Sequence, residues 1–300
     1  MNEHREIRRI GRRAFLGRGG ALVLAATAGG ASRGVEGAEA EALRIGLVTD
    51  LHYGDKEPTA TRFYREAPAK LAEAVAGFQK FKPDFVVEIG DLIDSGDSVE
   101  TELRWVETID AEFAKSAGDR HYVLGNHCVE TLTKAEFLGA VGKERSFYSF
   151  DRGGFHFVVL DACFRSDGQP YGRKNSRWTD ANVPTDQVEW LKADLAAGKA
   201  KTIVLVHQRL DVGGDYGIKN AEEIRRALED SRRVLAVFQG HYHRGDHREL
   251  GGIHYATFRA MIEGSGPENS GYSEVSIRPD GSIVINGFRR QPSYRWSWPS

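Results

Sequence analysis

Side chains able to hold a cation recur along this sequence: Asp50 and His52, Asp91, Asn126 and His127, His207, and lastly His241 and His243. Five of the ten histidines belong to that set, so histidine is concentrated at these points. All members offer oxygen or nitrogen and none a thiolate, which suits a borderline divalent cation such as zinc, manganese or iron. Each fragment alone has an ordinary reading. Asp50-Leu51-His52 arises by chance, Gly90-Asp91 is a common turn, Gly125-Asn126-His127 fits a loop with a left-handed Asn, and Gly240-His241-Tyr242-His243 fits a surface cluster. Their joint recurrence, always after an apolar run, points to one shared centre.

Strands must position these residues. Residues 43–49 run apolar into Asp50, 85–89 into Gly90-Asp91, 121–124 into Gly125-Asn126-His127, 202–206 into His207, and 234–238 to just before Gly240-His241. Short apolar runs that end in polar loops read as buried strands. Between them, about residues 60–79, 99–116, 133–141, 186–197 and 219–229 space apolar residues three and four apart, the helix period. Strand alternating with helix predicts an α/β sheet. In open sheets of that kind ligands bind at the carboxyl ends of strands, where every residue named above sits. The tail differs: 247–250, 253–257, 272–277 and 282–286 are strand-like, with Asp280-Gly281 as a tight turn and no helix between. That predicts a second, partly antiparallel sheet packed on the first.

The chain has 300 residues with 40% hydrophobic and 28% charged, and 41 Lys plus Arg oppose 43 Asp plus Glu, which excludes disorder and a disulfide-built miniprotein. With a net charge of −2 there is no basic excess to hold a nucleic acid polymer. Any phosphate must be gripped locally. The first forty residues read as an address: six Arg (5, 8, 9, 12, 13, 18), then the weakly apolar 19–28, then Ala38-Glu39-Ala40, a small-x-small cleavage pattern. Arg12-Arg13-Ala14-Phe15-Leu16 resembles a twin-arginine export signal. The apolar stretch is far short of a membrane span, so no stable insertion is expected after cleavage. The expected organisation is a signal peptide over 1–40 and one domain over 41–300, exported to the periplasm or outside by the twin-arginine machinery; a basic tail or a retained anchor is the alternative. Cys128 and Cys163 are too few to staple the chain.

In this order the motifs resemble the calcineurin-like metallophosphoesterase family: Asp50-Leu51-His52, Gly90-Asp91-Leu92-Ile93-Asp94, Gly125-Asn126-His127, His207 and Gly240-His241-Tyr242-His243, within residues 43 to about 290. The resemblance implies an α/β fold of two mixed β-sheets packed face to face with helices on the outer faces, and two divalent metal ions, manganese, iron or zinc. By the same resemblance Asp50, His52 and His243 hold one metal, Asn126, His207 and His241 the second, and Asp91 bridges them. A shared carboxylate and hydroxide are what hold two close cations together, and that hydroxide would attack phosphorus in line. His127 would stabilise or protonate the leaving oxygen, with Asp94 fixing its tautomer. Asp94 also suits a plain helix N-cap.

The implied function is an exported phosphoesterase acting on a small phosphodiester or pyrophosphate of nucleotide type. Alternatives are a broad phosphomonoesterase and a metal-bound binding module without turnover. Residues 252–256, Glu263 and 284–287, with Gln187 to Leu191, look like the manganese-dependent ADP-ribose/CDP-alcohol diphosphatase branch. Two departures stand out: His52 where that branch typically has Gln, and Cys128 where an acidic residue usually follows Gly-Asn-His. Cys128 is read as a small buried side chain, with a disulfide to Cys163 as the alternative. The long loop from Arg165 to Pro184 carries Tyr171, Arg173 and Trp178. It is read either as a substrate lid, with Arg173 on phosphate and Trp178 on a base, or as a plug at the core edge with solvated charges.

Overall fold

A computed structural model describes residues 42–298. The expected signal segment lies outside the described residues, and no helix among them is long and apolar enough to cross a membrane. Among the described residues twelve strands and five α-helices follow in chain order: β1 Leu43–Val48, α1 Ala67–Phe81, β2 Phe85–Glu88, α2 Val99–Phe113, β3 Arg120–Tyr122, α3 Lys134–Ala140, β4 Tyr148–Arg152, β5 Phe155–Val159, α4 Thr185–Ala197, β6 Thr202–Leu205, α5 Ala221–Ser231, β7 Val234–Gln239, β8 Asp246–Leu250, β9 Ile253–Thr257, β10 Gly271–Ile277, β11 Ile283–Arg289 and β12 Tyr294–Trp296. They form two six-stranded mixed sheets, ordered β12-β11-β10-β1-β2-β3 and β4-β5-β6-β7-β9-β8.

Side-chain alternation decides how the layers stack. Leu43, Ile45, Leu47, Phe85 and Val87 of the first sheet meet Phe157, Val159, Ile203, Leu205 and Phe238 of the second in a central core. On the opposite face of the first sheet, Val48 and Val86 pack with Leu71, Val75 and Phe78 of α1 and Val106, Ile109 and Phe113 of α2. The second sheet does the same with Val158, Val204 and Val237 against α4 and α5. Each sheet is therefore buried on both faces, as its parallel strands require.

The tail does not build a sheet of its own. β8 and β9 complete the second sheet, whereas β10 turns back antiparallel beside β1 and brings β11 and β12 into the first. Helix α1 begins later than the spacing predicts, at Ala67, with a 3₁₀ turn over Tyr64–Glu66 before it. Pro68 sets that start, since it cannot accept a place further inside a helix. β4, β5 and β12 lie outside the strand ranges read from the sequence: β4 is a half-exposed edge strand, β5 a buried inner one, and β12 only three residues long. Cys128 and Cys163 are buried and free, so the alternative of a disulfide is set aside. The Cys163 thiol instead donates to the Leu124 carbonyl at 3.4 Å.

Candidate metal centre and its cleft

The parallel strands β1, β2, β3, β6 and β7 all end at one edge, and the turns that follow deliver the donors. These turns are tight. Asp50, His52, Asp91 and His241 have φ of 51°, 45°, 58° and 68°, left-handed values that non-glycine residues adopt at some cost. A Cβ on Gly125 would lie 2.2 Å from the Asp91 backbone N, and one on Gly90, whose φ is +92°, 2.4 Å from His207 Nδ1. Glycine at both places lets two strand ends approach until their donors share one space.

In that space Asp50, His52 and His243 form one convergent group and Asp91, His207 and His241 another, with donor atoms inside each within 4.8 Å. His52, Asp91 and His127 form a third grouping that overlaps both. His52 links the third grouping to the first, and Asp91 links it to the second. Asp91 Oδ2 lies 3.1 Å from His207 Nε2 and 3.5 Å from His52 Nε2, while its Oδ1 accepts the His127 backbone N–H at 2.8 Å. Asp50 is held from behind, accepting from the Thr49 hydroxyl at 2.7 Å and from the His241 N–H at 3.1 Å, and presents Oδ1 3.5 Å from His243 Nε2. Among the buried atoms left without an aligned hydrogen bond are Asn126 Oδ1, His207 Nε2 and His241 Nε2. Buried polar atoms rarely stay unpartnered, and these three are the type and number of donors a second cation needs beside Asp91.

Outer contacts fix the rings. His207 Nδ1 donates to the Ile89 carbonyl at 2.7 Å, and His243 Nδ1 bonds Glu263 Oε1 at 2.6 Å, so in both rings Nε2 is the atom offered to the centre. Burial lowers the His52 pKa to about 4 and that of His241 to about 3. It acts on His207 too, but Asp91 and Asp50 outweigh it and raise His207 to about 9. Asp50 and Asp91 stay below the usual carboxylate range: burial opposes this, and the surrounding histidines overcome it. At neutral pH the metal-free chain thus keeps a proton on His207, which a divalent cation would displace. The donor set fits two such cations.

His127 sits beside this centre, its ring 4.7 Å from that of His52. Asp94 Oδ1 lies 3.0 Å from His127 Nδ1, and Asp94 Oδ2 3.7 Å from His52 Nδ1. One carboxylate therefore serves a ring at the centre and a ring beside it, and it accepts no helix-capping hydrogen bond; Ser98 caps α2 instead. Glu130, three residues on, takes a hydrogen bond from Ser95 at 2.6 Å and comes within 3.6 Å of His127 Nδ1.

The cleft over the centre encloses about 490 Å³, lined among others by Arg62, Trp178, Tyr216, Tyr242, Arg244 and Arg259. The loop 165–184 divides between its two expected roles. Trp178 reaches the cleft, while Tyr171 is buried and its hydroxyl donates to the Arg177 carbonyl at 3.0 Å. Arg173 does not come to the cleft: its guanidinium forks onto Glu136, bonding Oε2 at 2.7 Å, and donates to the Thr131 carbonyl at 2.8 Å. Glu136 is the capping-box residue of α3, so Arg173 fastens the loop to that helix. Other contributors carry no local signature in the sequence. Lys70, fully buried in α1, donates to the carbonyls of Met261 (2.9 Å), Ile262 (3.2 Å), Glu263 (3.2 Å) and Gly264 (2.6 Å), holding the segment that carries Glu263. The one available hint was a lysine inside the apolar stripe Ala67, Leu71, Ala74.

Residues 43–245 match the family model described as calcineurin-like phosphoesterase. The manganese-dependent ADP-ribose/CDP-alcohol diphosphatase of Oryza sativa is 25% identical over 289 residues, covering 80% of this chain and 90% of that protein. The Xenopus laevis protein of the same name is 23% identical over 314 residues, covering 81% and 87%. Among solved structures, a dimetal phosphatase from Danio rerio superposes with a TM-score of 0.76 at 21% identity, covering 86% of this chain and all of the other.

Proposed function

Because the chain belongs to the calcineurin-like phosphoesterase family and is a metal-dependent phosphoester hydrolase, we propose that it cleaves a small nucleotide-like pyrophosphate or phosphodiester. Asp91 carries this reading: one carboxylate oxygen faces a histidine from each donor group, the placement a ligand shared by two cations requires. Asp50, His52 and His243 would hold one ion, and Asn126, His207 and His241 the other. When bound, such a pair lowers the pKa of water and offsets charge on the phosphoryl oxygens. The other residues orient and move protons. Asp94 holds His127 Nδ1, leaving Nε2 to meet the leaving oxygen. Burial works against a charged His127, but Asp91, then Asp94 and Glu130, raise its pKa, and once cations engage Asp91 the last two remain to keep the proton.

The relatives' names supply the substrate class, and the arginine-rich cleft is consistent with it. The purified protein loaded with manganese is expected to release AMP from ADP-ribose or CMP from a CDP-alcohol faster than phosphate from 4-nitrophenyl phosphate. The opposite order would replace this reading with a phosphomonoesterase. Residues 1–40 would direct export; changing Arg12-Arg13 to Lys-Lys should leave the protein in the cytoplasm, and unchanged export would point to another route.

A further inference from the structure

The cleft has two unlike ends. On the His52 side stand His127, Asp94 and Arg62, with Arg62 Nη1 3.9 Å from Asp94 Oδ2. On the His241 side stands a group of rings. Trp178 and Tyr216 lie 5.4 Å apart at 52°, and both pack edge-on against His241, at 5.5 and 5.7 Å. Tyr242 backs Tyr216 at 5.0 Å and 77°, and Arg209 in turn lies over Tyr242 at 5.3 Å, so the platform is braced from beneath. Its upper surface is open: Trp178 and Tyr216 are 43% and 41% exposed, the two exposed large apolar side chains among the described residues. Flat rings left in water beside a cationic cleft are suited to a second flat ring. The Arg244 guanidinium, in the same cleft, has no hydrogen-bond or ion-pair partner among the described residues.

We propose that Trp178 and Tyr216 form a nucleobase subsite for the half of the substrate that keeps the attacked phosphorus, while the leaving half departs on the side of His127 and Arg62. This rests on the hydrolytic reading above and adds a direction to it. Water's oxygen bonds to the phosphorus carrying the nucleoside. The bond from that phosphorus to the bridging oxygen breaks, its electron pair leaving with the second phosphate, and the proton lost by water is balanced by one the departing oxygen takes from His127. A nucleoside monophosphate is the retained product. The reverse placement would set the base beside His127, among the charges of Asp94, Glu130 and Arg62 and away from the exposed faces of Trp178 and Tyr216.

Two esters with the same leaving group test the subsite: thymidine 5′-(4-nitrophenyl phosphate), which retains a nucleoside, and methyl 4-nitrophenyl phosphate, which retains a methyl group. Trp178→Ala and Tyr216→Ala are each expected to lower kcat/KM on the thymidine ester by about 10- to 100-fold. The methyl ester should change less than about twofold, at unchanged metal content. Equal losses on both esters, or no preference in the unsubstituted protein, would overturn the subsite. Binding gives a second readout free of turnover: AMP should quench tryptophan fluorescence and ribose 5-phosphate should not, with the quench lost in Trp178→Ala. If neither ester is cleaved yet the quench persists, the subsite stands and the hydrolytic reading falls; without the quench the subsite falls. Cleavage of ADP-glucose in ¹⁸O-water decides the direction. Label in AMP is expected, and label in glucose 1-phosphate would overturn it.

Discussion

Asp50, His52, Asp91 and His207 sit at the ends of central strands with almost no exposure, each tied to a neighbouring strand end by a backbone or carboxylate contact. Trp178 and Tyr216, at the rim of the same cleft, hang on loops and stand 43% and 41% exposed. The first region is fixed by two sheets and their shared core, so its geometry does not depend on any one side chain. The second is held by ring contacts and by loop hydrogen bonds such as that from the Arg209 N–H to the Tyr216 carbonyl at 3.2 Å. A phosphoryl group always demands the same donors, whereas what it carries varies, and the chain has placed the invariant demand in the rigid part.

If that division holds, damage should fall off from the strand ends outward. Asp91→Ala removes the shared ligand and is expected to leave no turnover above background, with fewer than two metals per chain by elemental analysis. His207→Ala should do the same, whereas retention of two metals and activity in either would collapse the distinction. One step out, His127→Asn should cost about 10² to 10⁴ in rate on a substrate with an alkyl or ribose leaving group, and clearly less on a nitrophenyl ester, with metal content unchanged. Asp94→Asn is expected to show that dependence in weaker form and also to loosen the metal, because Asp94 faces His52 as well as His127. Glu263→Gln, which spares the ring but weakens its anchor, should lower metal affinity by about 10- to 100-fold, read by titration with a chelator. Lys70→Met should move affinity in the same direction by way of Glu263, with thermal unfolding separating lost stability from lost binding. Smallest of all, Arg173→Ala breaks an exposed ion pair with Glu136 and is expected to leave the melting temperature nearly unchanged and kcat/KM alone. A large rise in KM there would return Arg173 to the substrate.

The same division explains what could be read in advance. Asp50, Asp91, Asn126, His207 and His241 are announced within a few residues of an apolar run, because a strand end fixes the chain's direction and the motif its local turn. Lys70 is not, since it meets its carbonyls 191 to 194 residues away and no local pattern encodes that meeting; Glu263 stands out only through the resemblance to the diphosphatase branch, with no role attached. Tyr216 was missed for a related reason: the loop after β6 has no period, and its partner Trp178 lies on another such loop. Arg173 shows the converse failure. Its charge invited a phosphate, but a capping-box glutamate on α3 claimed the guanidinium first.

The left-handed dihedrals at Asp50, His52, Asp91 and His241 have a consequence for how this chain balances endurance against activity. Each holds the backbone roughly 1 kcal/mol above a relaxed conformation, and two of the four keep a buried nitrogen without a hydrogen bond, His52 at Nδ1 and His241 at Nε2. Glycine at such a position would release the strain and empty the site of a polar group. His241→Gly is therefore expected to melt above the metal-free parent protein while doing no chemistry. Adding cations should reverse the ranking, because ligands that bind only the native state raise its melting temperature by mass action. A lineage selected for persistence in a metal-poor setting would drift toward that inert glycine form, so the strained turns persist only where turnover is worth more than stability.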